Sequence, residues 1–120
     1  CGLNFGDLLI IKGTYQEKPP LPFTLGMEMA GTITALGDGV THLIVGQRIA
    51  AYTGFDGLAE YAAIPADVCV PIPDEMNAVD AAAFLIAYGT SHVGGGIPST
   101  CCRWLDGIRF TLVYSRIKLL

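Results

Sequence analysis

The chain has 120 residues, of which 52% are hydrophobic and 15% are charged, and its formal net charge is -4. This length supports one small domain with a packed core, and the composition excludes a disordered chain. The mild acidity and the scattered Lys and Arg residues exclude a basic nucleic-acid-binding stripe and a polybasic membrane patch. No apolar run approaches the ~20 residues of a membrane span.

The cysteines and the start of the chain bear on the compartment. Four cysteines are present and none forms a C-x-x-C pair. The even number allows two disulfides, but the sequence does not resemble a small secreted scaffold, and reduced thiols are the favoured interpretation. No basic segment followed by an apolar signal core opens the chain. We therefore expect a cytoplasmic protein.

The first predicted element is a short helix over residues 4–11. Asn4 is suited to the N-cap position, and Asp7 is an acidic residue in the first turn, where the helix dipole favours it. Gly13 then ends the helix. The proline-rich stretch 18–23 predicts an extended loop, because proline lacks the backbone donor and keeps its predecessor out of the helical region.

The middle of the chain predicts β-structure. Four short strands are expected over residues 29–36, 45–51, 57–64 and 68–72, because β-branched residues alternate with Gly and Pro turn signals. Short strands at this spacing are typical of a small barrel or sandwich. The predicted fold class is therefore mainly β with short helices.

The pattern changes again near the end of the chain. Asn77 followed by Asp80 predicts a capped helix start, and residues 81–88 predict a buried helix. From Gly94 the pattern is lost, although residues 108–114 have strand propensity.

Several separated motifs point to one family. They are Cys-Gly-Leu-Asn-Phe-Gly-Asp-Leu-Leu at 1–9, Gly-Thr-Tyr at 13–15, the glycine-rich run at 26–40, and Tyr-Gly-Thr-Ser-His at 88–92. In this order they resemble the GroES-like N-terminal domain of the medium-chain dehydrogenase/reductase superfamily, in its zinc-free quinone oxidoreductase branch. The resemblance implies a GroES-like partial β-barrel over residues 1–93.

The resemblance also implies a domain organisation. The dinucleotide-binding fingerprint G-x-G-x-x-G does not occur in the sequence, so we expect a fragment that lacks the Rossmann domain of the family. The strand that precedes Cys1 in the family is expected to be missing as well. Residues 94–120 form a divergent tail, which we interpret as a frameshifted or mis-joined translation or as a native C-terminal element. Within the barrel, Gly26 and Gly31 are expected where backbones approach closely.

Zinc is not expected. Zinc alcohol dehydrogenases, which this domain also resembles, have a Cys at the position of Cys1 and a His where this chain has Met27. A catalytic zinc needs three N, O or S protein ligands, and a neutral thioether is a poor one. The four clustered cysteines of a structural zinc lobe are absent from the sequence. Cys1 is therefore expected to be a small buried residue.

The resemblance implies NADPH-dependent hydride transfer to a quinone or an activated alkene such as an enone. Asn4 corresponds to the family residue near the nicotinamide and the substrate, although it also suits a helix cap. Thr90 corresponds to a family residue beside the nicotinamide, although a helical Thr can instead bond a backbone carbonyl. Tyr15 is a candidate hydrogen-bond donor to a substrate oxygen, or a packing residue. Glu28 is expected to be structural.

Two functions remain open. The first is a fragment of an NADPH-dependent, zinc-independent oxidoreductase, which alone should bind cofactor weakly and be inactive. The second is a non-enzymatic GroES-like binding module without cofactor. An incomplete barrel should expose apolar surface, so a homodimer is also expected. The sequence does not distinguish a quinone from an enone, and NADPH over NADH depends on the resemblance alone.

Overall fold

The computed structural model describes residues 1–95 and 116–118. In these residues the helices are α1 (Phe5–Ile11), α2 (Ala78–Ala82) and α3 (Phe84–Gly95). The strands are β1 (Glu28–Thr32), β2 (Arg48–Tyr52), β3 (Ala63–Pro65), β4 (Cys69–Pro71) and β5 (Arg116–Lys118), with a 3-10 turn at Ala66–Val68.

The strands form two small antiparallel sheets. In the first sheet β2 lies in the centre, between β1 and β4, and in the second β3 pairs with β5. Short helices accompany the sheets, so the predicted fold class of β-structure with short helices is confirmed. Within the described residues, no helix is long and apolar enough to cross a membrane.

One face of the first sheet carries the apolar core. Met29 on β1 and Ile49 and Ala51 on β2 are buried there. The core is completed by residues from the other strands and the segments between them: Ile33, Leu43, Ile64, Ala66 and Cys69. The largest fully buried side chains are Ile33, Ile49 and Ile64. Burying one such side chain stabilises the fold by about 1.5–3 kcal/mol, so this face supplies much of the stability.

The opposite face of the same sheet packs on the helices. α2 contacts β1 and β2, and α3 contacts β2. Because side chains alternate along a strand, Glu28 and Ala50 lie on this side, and each is only 2% exposed. A buried carboxylate therefore lies under the helices on a sheet whose other face is apolar.

The predicted strands are too long. The first ends at Thr32 instead of residue 36, and the second begins at Arg48 instead of residue 45. Between them the chain turns at Gly46, which has a φ of +87° and donates its N–H to the Ile33 carbonyl at 2.8 Å. Of the strand predicted over 57–64, only its end lies in β3, because Gly57 N–H bonds the Gly26 carbonyl at 2.9 Å.

The single buried helix predicted over 81–88 is wrong. Asn77 does cap a helix start, since its Oδ1 accepts the Asp80 N–H at 2.8 Å, but that helix is α2 and it ends at Ala82. Ala83 has a φ of -112° and donates its N–H to the Asp80 carbonyl at 3.2 Å, a tightened turn that separates α2 from α3. Tyr88 on α3 is 59% exposed.

Of the two predictions for the tail, one lies within the described residues and one lies outside them. α3 continues to Gly95, past the change of pattern expected at Gly94. Residues 108–114, for which strand propensity was noted, lie outside the described residues. The division of the chain into residues 1–93 and a tail of 94–120 stays a prediction.

Candidate functional site

Asn4 lies at the start of α1 and connects it to β1. It occupies the N-cap position, as predicted, and its backbone N–H donates to Asp7 Oδ2 at 2.8 Å. Its side-chain Nδ2 donates to Glu28 Oε1 at 3.0 Å. A primary amide nitrogen carries two N–H groups, and this bond uses one of them. Asn4 is therefore anchored on β1 with one further donor on the same nitrogen.

Glu28 is the centre of this polar face. Its Oε2 accepts the N–H of Ile86 at 2.9 Å. Ile86 is the third residue of α3, and the first N–H groups of a helix have no partner within it. A carboxylate at this end is also favoured by the helix dipole. These bonds agree with the structural role expected for Glu28, but the sequence did not identify the donor Ile86, which lies 58 residues further along the chain.

Asp7 is a second buried carboxylate, 2% exposed. Its Oδ1 accepts the N–H of Gly26 at 2.9 Å, which ties α1 to the loop before β1. Gly26 has a φ of +101°, and a Cβ there would lie 2.6 Å from the backbone nitrogen of Leu58, so the close approach predicted for this glycine is confirmed. The same prediction for Gly31 is wrong, because nothing lies within 4 Å of its Cβ position.

Tyr15 follows α1 and folds back along it. Its N–H donates to the Leu9 carbonyl at 3.2 Å, and its ring carbon Cε2 lies 3.6 Å from the Cβ position of Gly6. The half-buried side chain lines a cavity of about 140 Å³ together with Glu17, Lys18, Phe55 and other residues. The Tyr15 ring therefore lies beside Gly6, in the first half of α1.

Thr90 lies on α3, one helical turn beyond Ile86, and is exposed. Residues four apart share a helix face, so the Thr90 side chain projects from α3 on the same side as that of Ile86. The backbone-carbonyl bond considered for Thr90 is made by its neighbour, since Ser91 Oγ donates to the Ala87 carbonyl at 2.8 Å. Glu28 thus joins Asn4 to the helix that carries Thr90. Tyr15 is connected to this group only by its contact with Gly6, which is on the helix that Asn4 caps.

Tyr52, at the end of β2, was not singled out from the sequence. Burial raises the pKa of its phenol above the ordinary value of 10.0, and the neighbouring Tyr15 and Glu17 raise it further. The phenol is therefore protonated at neutral pH and can donate a hydrogen bond. Only the pairing of β2 with β1 brings Tyr52 to this region, so no local sequence signal could have identified it.

The residues present do not suit a zinc ion. Met27 is 4% exposed, and its Sδ lies 2.6 Å from the Cβ position of Gly6, packed on α1. Cys1 is exposed, which corrects the expectation of a buried residue, and its Sγ lies beside the Cβ positions of Gly26 and Gly57. The described residues contain no group of three or more His, Cys, Asp or Glu side chains that could hold a metal. Independence from zinc stays a prediction.

A larger groove, of about 340 Å³, lies between β1 and residues 57–62. Cys1 and Tyr61 are among its lining residues, and Tyr61 is 63% exposed. None of Asn4, Tyr15 and Thr90 is among the residues that line this groove.

Comparison with known proteins identifies the family. The model of the family described as "Alcohol dehydrogenase GroES-like domain" matches residues 1–74 of the chain. The chain belongs to this family. This GroES-like domain is also similar to "Quinone oxidoreductase-like protein 2 homolog" of Nematostella vectensis, with 41% identity over 95 residues that cover 78% of the chain and 26% of the relative. It is 39% identical to human "Synaptic vesicle membrane protein VAT-1 homolog" over 93 residues, which cover 78% of the chain and 24% of that protein.

Solved structures agree with this assignment. One match is the crystal structure of human synaptic vesicle membrane protein VAT-1 homolog-like protein, with a TM-score of 0.74 and 36% identity. The matched region covers 78% of the present chain and 30% of the chain in that structure. A probable oxidoreductase from Mycobacterium abscessus matches with a TM-score of 0.70 and 31% identity, over 78% and 29% of the two chains. The predicted place in the medium-chain dehydrogenase/reductase superfamily is confirmed. The chain spans about a quarter (26%) of the length of its quinone oxidoreductase-like relative.

Proposed function

We propose that the chain is the substrate-side domain of an NADPH-dependent, zinc-independent oxidoreductase that transfers hydride to a quinone or an activated alkene. The observation that carries this proposal is the Glu28 junction, which accepts hydrogen bonds from Asn4 and Ile86. It holds Asn4 and the helix that bears Thr90 against one strand. The names of the relatives, quinone oxidoreductase-like and probable oxidoreductase, support the same class of reaction.

The residues present fit the nicotinamide end of the cofactor. Thr90 has an exposed hydroxyl on α3, and Asn4 Nδ2 has an N–H beyond the one given to Glu28. These two groups would hold the nicotinamide, and NADPH when bound would supply the hydride. Tyr15 would donate a hydrogen bond to the acceptor oxygen, which carries increasing negative charge as hydride is added. No Lewis acid is required, because a quinone or an enone is already electrophilic.

Binding of NADPH to the full 120-residue chain, labelled with 15N, tests the proposal. We expect weak, saturable amide shifts that include Asn4 and Thr90, with negligible NADPH oxidation by the chain alone. The matched control ligand is 2′-phospho-ADP-ribose, which lacks the nicotinamide and should leave these amides unshifted. Equal shifts with both ligands, or none near Asn4 and Thr90, would contradict the proposal and favour the binding module without cofactor.

A pair of variants sharpens the same test. Thr90→Val removes the exposed hydroxyl while keeping the side-chain shape, and we expect NADPH binding about fivefold weaker, the loss of one hydrogen bond. Ser91→Ala is the matched control, because the Ser91 hydroxyl is already bonded to the Ala87 carbonyl. Equal affinity for the two variants would remove Thr90 from the site.

The homodimer expected from the sequence is proposed as well. The supporting observation is a row of exposed apolar side chains along α1 and just before it: Leu3 (72% exposed), Phe5 (73%), Leu8 (53%) and Ile11 (63%). Such a row is more apolar surface than scattered single residues would present. A monodisperse monomer in sedimentation velocity would contradict it.

A further inference from the structure

The register of β1 and β2 places Tyr52 on the helix-covered face of the sheet. Tyr52 lies directly opposite Glu28 in the antiparallel pair. Opposite residues in such a pair project to the same face, with their Cβ atoms about 5 Å apart. Since the Glu28 carboxylate binds Asn4 and Ile86, the Tyr52 side chain leaves the sheet beside the candidate site.

The backbone next to Tyr52 is firmly held. The N–H groups of Thr53 and Gly54 both donate to the Met27 carbonyl, at 2.9 and 3.1 Å. The end of β2 is thereby fastened to the residue before Glu28, and the position of the Tyr52 side chain is set by the strand rather than by a loop. The side chain is 38% exposed, so its phenol can be reached by a ligand.

The neighbours of Tyr52 suit a hydrogen-bond donor. A phenol with its ordinary pKa of 10.0 is already protonated at neutral pH, and burial, followed by Tyr15 and Glu17, raises the pKa of Tyr52 further. Tyr15 itself lies against Gly6 on α1. One phenol, after α1, packs against Gly6 of that helix, and the other lies opposite the carboxylate that binds Asn4, the residue that caps the same helix.

We propose that Tyr52 is a second substrate-binding residue, whose phenol donates a hydrogen bond to an oxygen of the acceptor alongside Tyr15. This inference rests on the proposed function and deepens it, because it adds a second hydrogen-bond donor to the acceptor side of the site. NADPH when bound would supply the hydride: the quinone would gain one hydrogen and two electrons to become the hydroquinone monoanion, and the remaining oxyanion would take a proton from water. Donors placed at that oxygen stabilise the developing charge.

Binding of duroquinone, a tetramethyl quinone with no ring position open to thiol addition, tests the assignment. In the full 15N-labelled chain, Tyr52→Phe should weaken duroquinone binding about fivefold, the effect of one lost hydrogen bond. Tyr61→Phe, at an exposed phenol in the other groove, is the matched control and should leave the affinity unchanged. Durene, the same tetramethyl ring without oxygens, should bind wild type and Tyr52→Phe equally.

The outcomes separate this inference from the proposed function. If duroquinone fails to shift amides near Asn4 and Tyr15 in the wild-type chain, both proposals are overturned. If it binds there and Tyr52→Phe binds as tightly as wild type, only the assignment of Tyr52 is overturned. A second measurement needs no variant: with 13Cζ-labelled tyrosine, duroquinone should shift the Tyr52 and Tyr15 resonances but not that of Tyr61. A Tyr52 resonance that does not move would also overturn it.

Discussion

The two faces of β1 hold the fold together in different ways. On one face Met29 packs among apolar side chains such as Ile33 and Ile49, where the stabilisation depends on area and volume and has little direction. On the other face Glu28 is held by two N–H donors at 2.9 and 3.0 Å. The apolar face should tolerate a change of shape better than a loss of volume, whereas the polar face should be sensitive to a change of a single atom.

The largest expected effect comes from removing volume on the apolar face. Ile49 is fully buried, at 0% exposure, and we expect Ile49→Ala to lower the free energy of unfolding by about 4 kcal/mol, because such a substitution loses buried area and leaves a cavity. Urea unfolding followed by circular dichroism measures the change. Ile44→Ala, at a side chain that is 67% exposed, is the matched control and should change stability by less than about 0.5 kcal/mol. Similar losses for both would mean that the apolar face is not the core.

A smaller effect is expected when one atom is changed on the polar face. Glu28→Gln keeps the size of the side chain but replaces one acceptor oxygen with an NH2 group. Either Asn4 Nδ2 or the Ile86 N–H then faces another donor. An unsatisfied buried donor costs about 1–3 kcal/mol, and we expect a loss of about 2 kcal/mol in urea unfolding. Hydrogen exchange of the Ile86 amide should accelerate selectively.

The control for this change is Glu60→Gln, at an exposed carboxylate. It should leave both the unfolding midpoint and the Ile86 exchange rate as in wild type. If Glu28→Gln also leaves the Ile86 amide protected, the carboxylate does not cap α3, and the support for placing Asn4 and Thr90 in one site is lost.

The same contrast explains what the sequence could predict. The helix starts at Asn4 and Asn77 were found because their partners, Asp7 and Asp80, lie three residues away, within reach of a local motif. The family resemblance and the β-rich fold class also followed from ordered motifs. The cap on α3 could not be predicted, because its carboxylate is on β1, and neither could Tyr52, whose place depends on strand register.

Some of the wrong predictions also result from contacts between segments that are distant in sequence. A single helix was expected over residues 81–88 because apolar residues run through it without a breaker. The helix is instead interrupted at Ala83, and a second helix, α3, begins where Glu28 accepts the Ile86 N–H. The exposure of Cys1 and the short strands likewise depend on how loops pack, which neighbouring residues in the sequence do not specify.

The smallest expected effect comes from the titration of a thiol within the apolar face, which does not change stability at neutral pH. Cys69 is 8% exposed, and burial, followed by the charge of Asp67, raises the pKa of its thiol from 9.0 to about 12. Because the folded pKa lies above the unfolded one, the stability that Cys69 contributes is complete below about pH 9 and is lost as pH rises from 9 toward 12. The urea midpoint of wild type should therefore fall more steeply above pH 9 than that of Cys69→Ala.

Reactivity gives an independent measure of the same burial. At pH 8, iodoacetamide should modify the exposed Cys1 well before Cys69, because the thiolate is the reactive species and the folded protein suppresses it at Cys69. Peptide mapping by mass spectrometry distinguishes the two sites. Equal labelling of Cys1 and Cys69, or parallel pH profiles for wild type and Cys69→Ala, would mean that solvent reaches the apolar face. The contrast with the hydrogen-bonded face of β1 would then not hold.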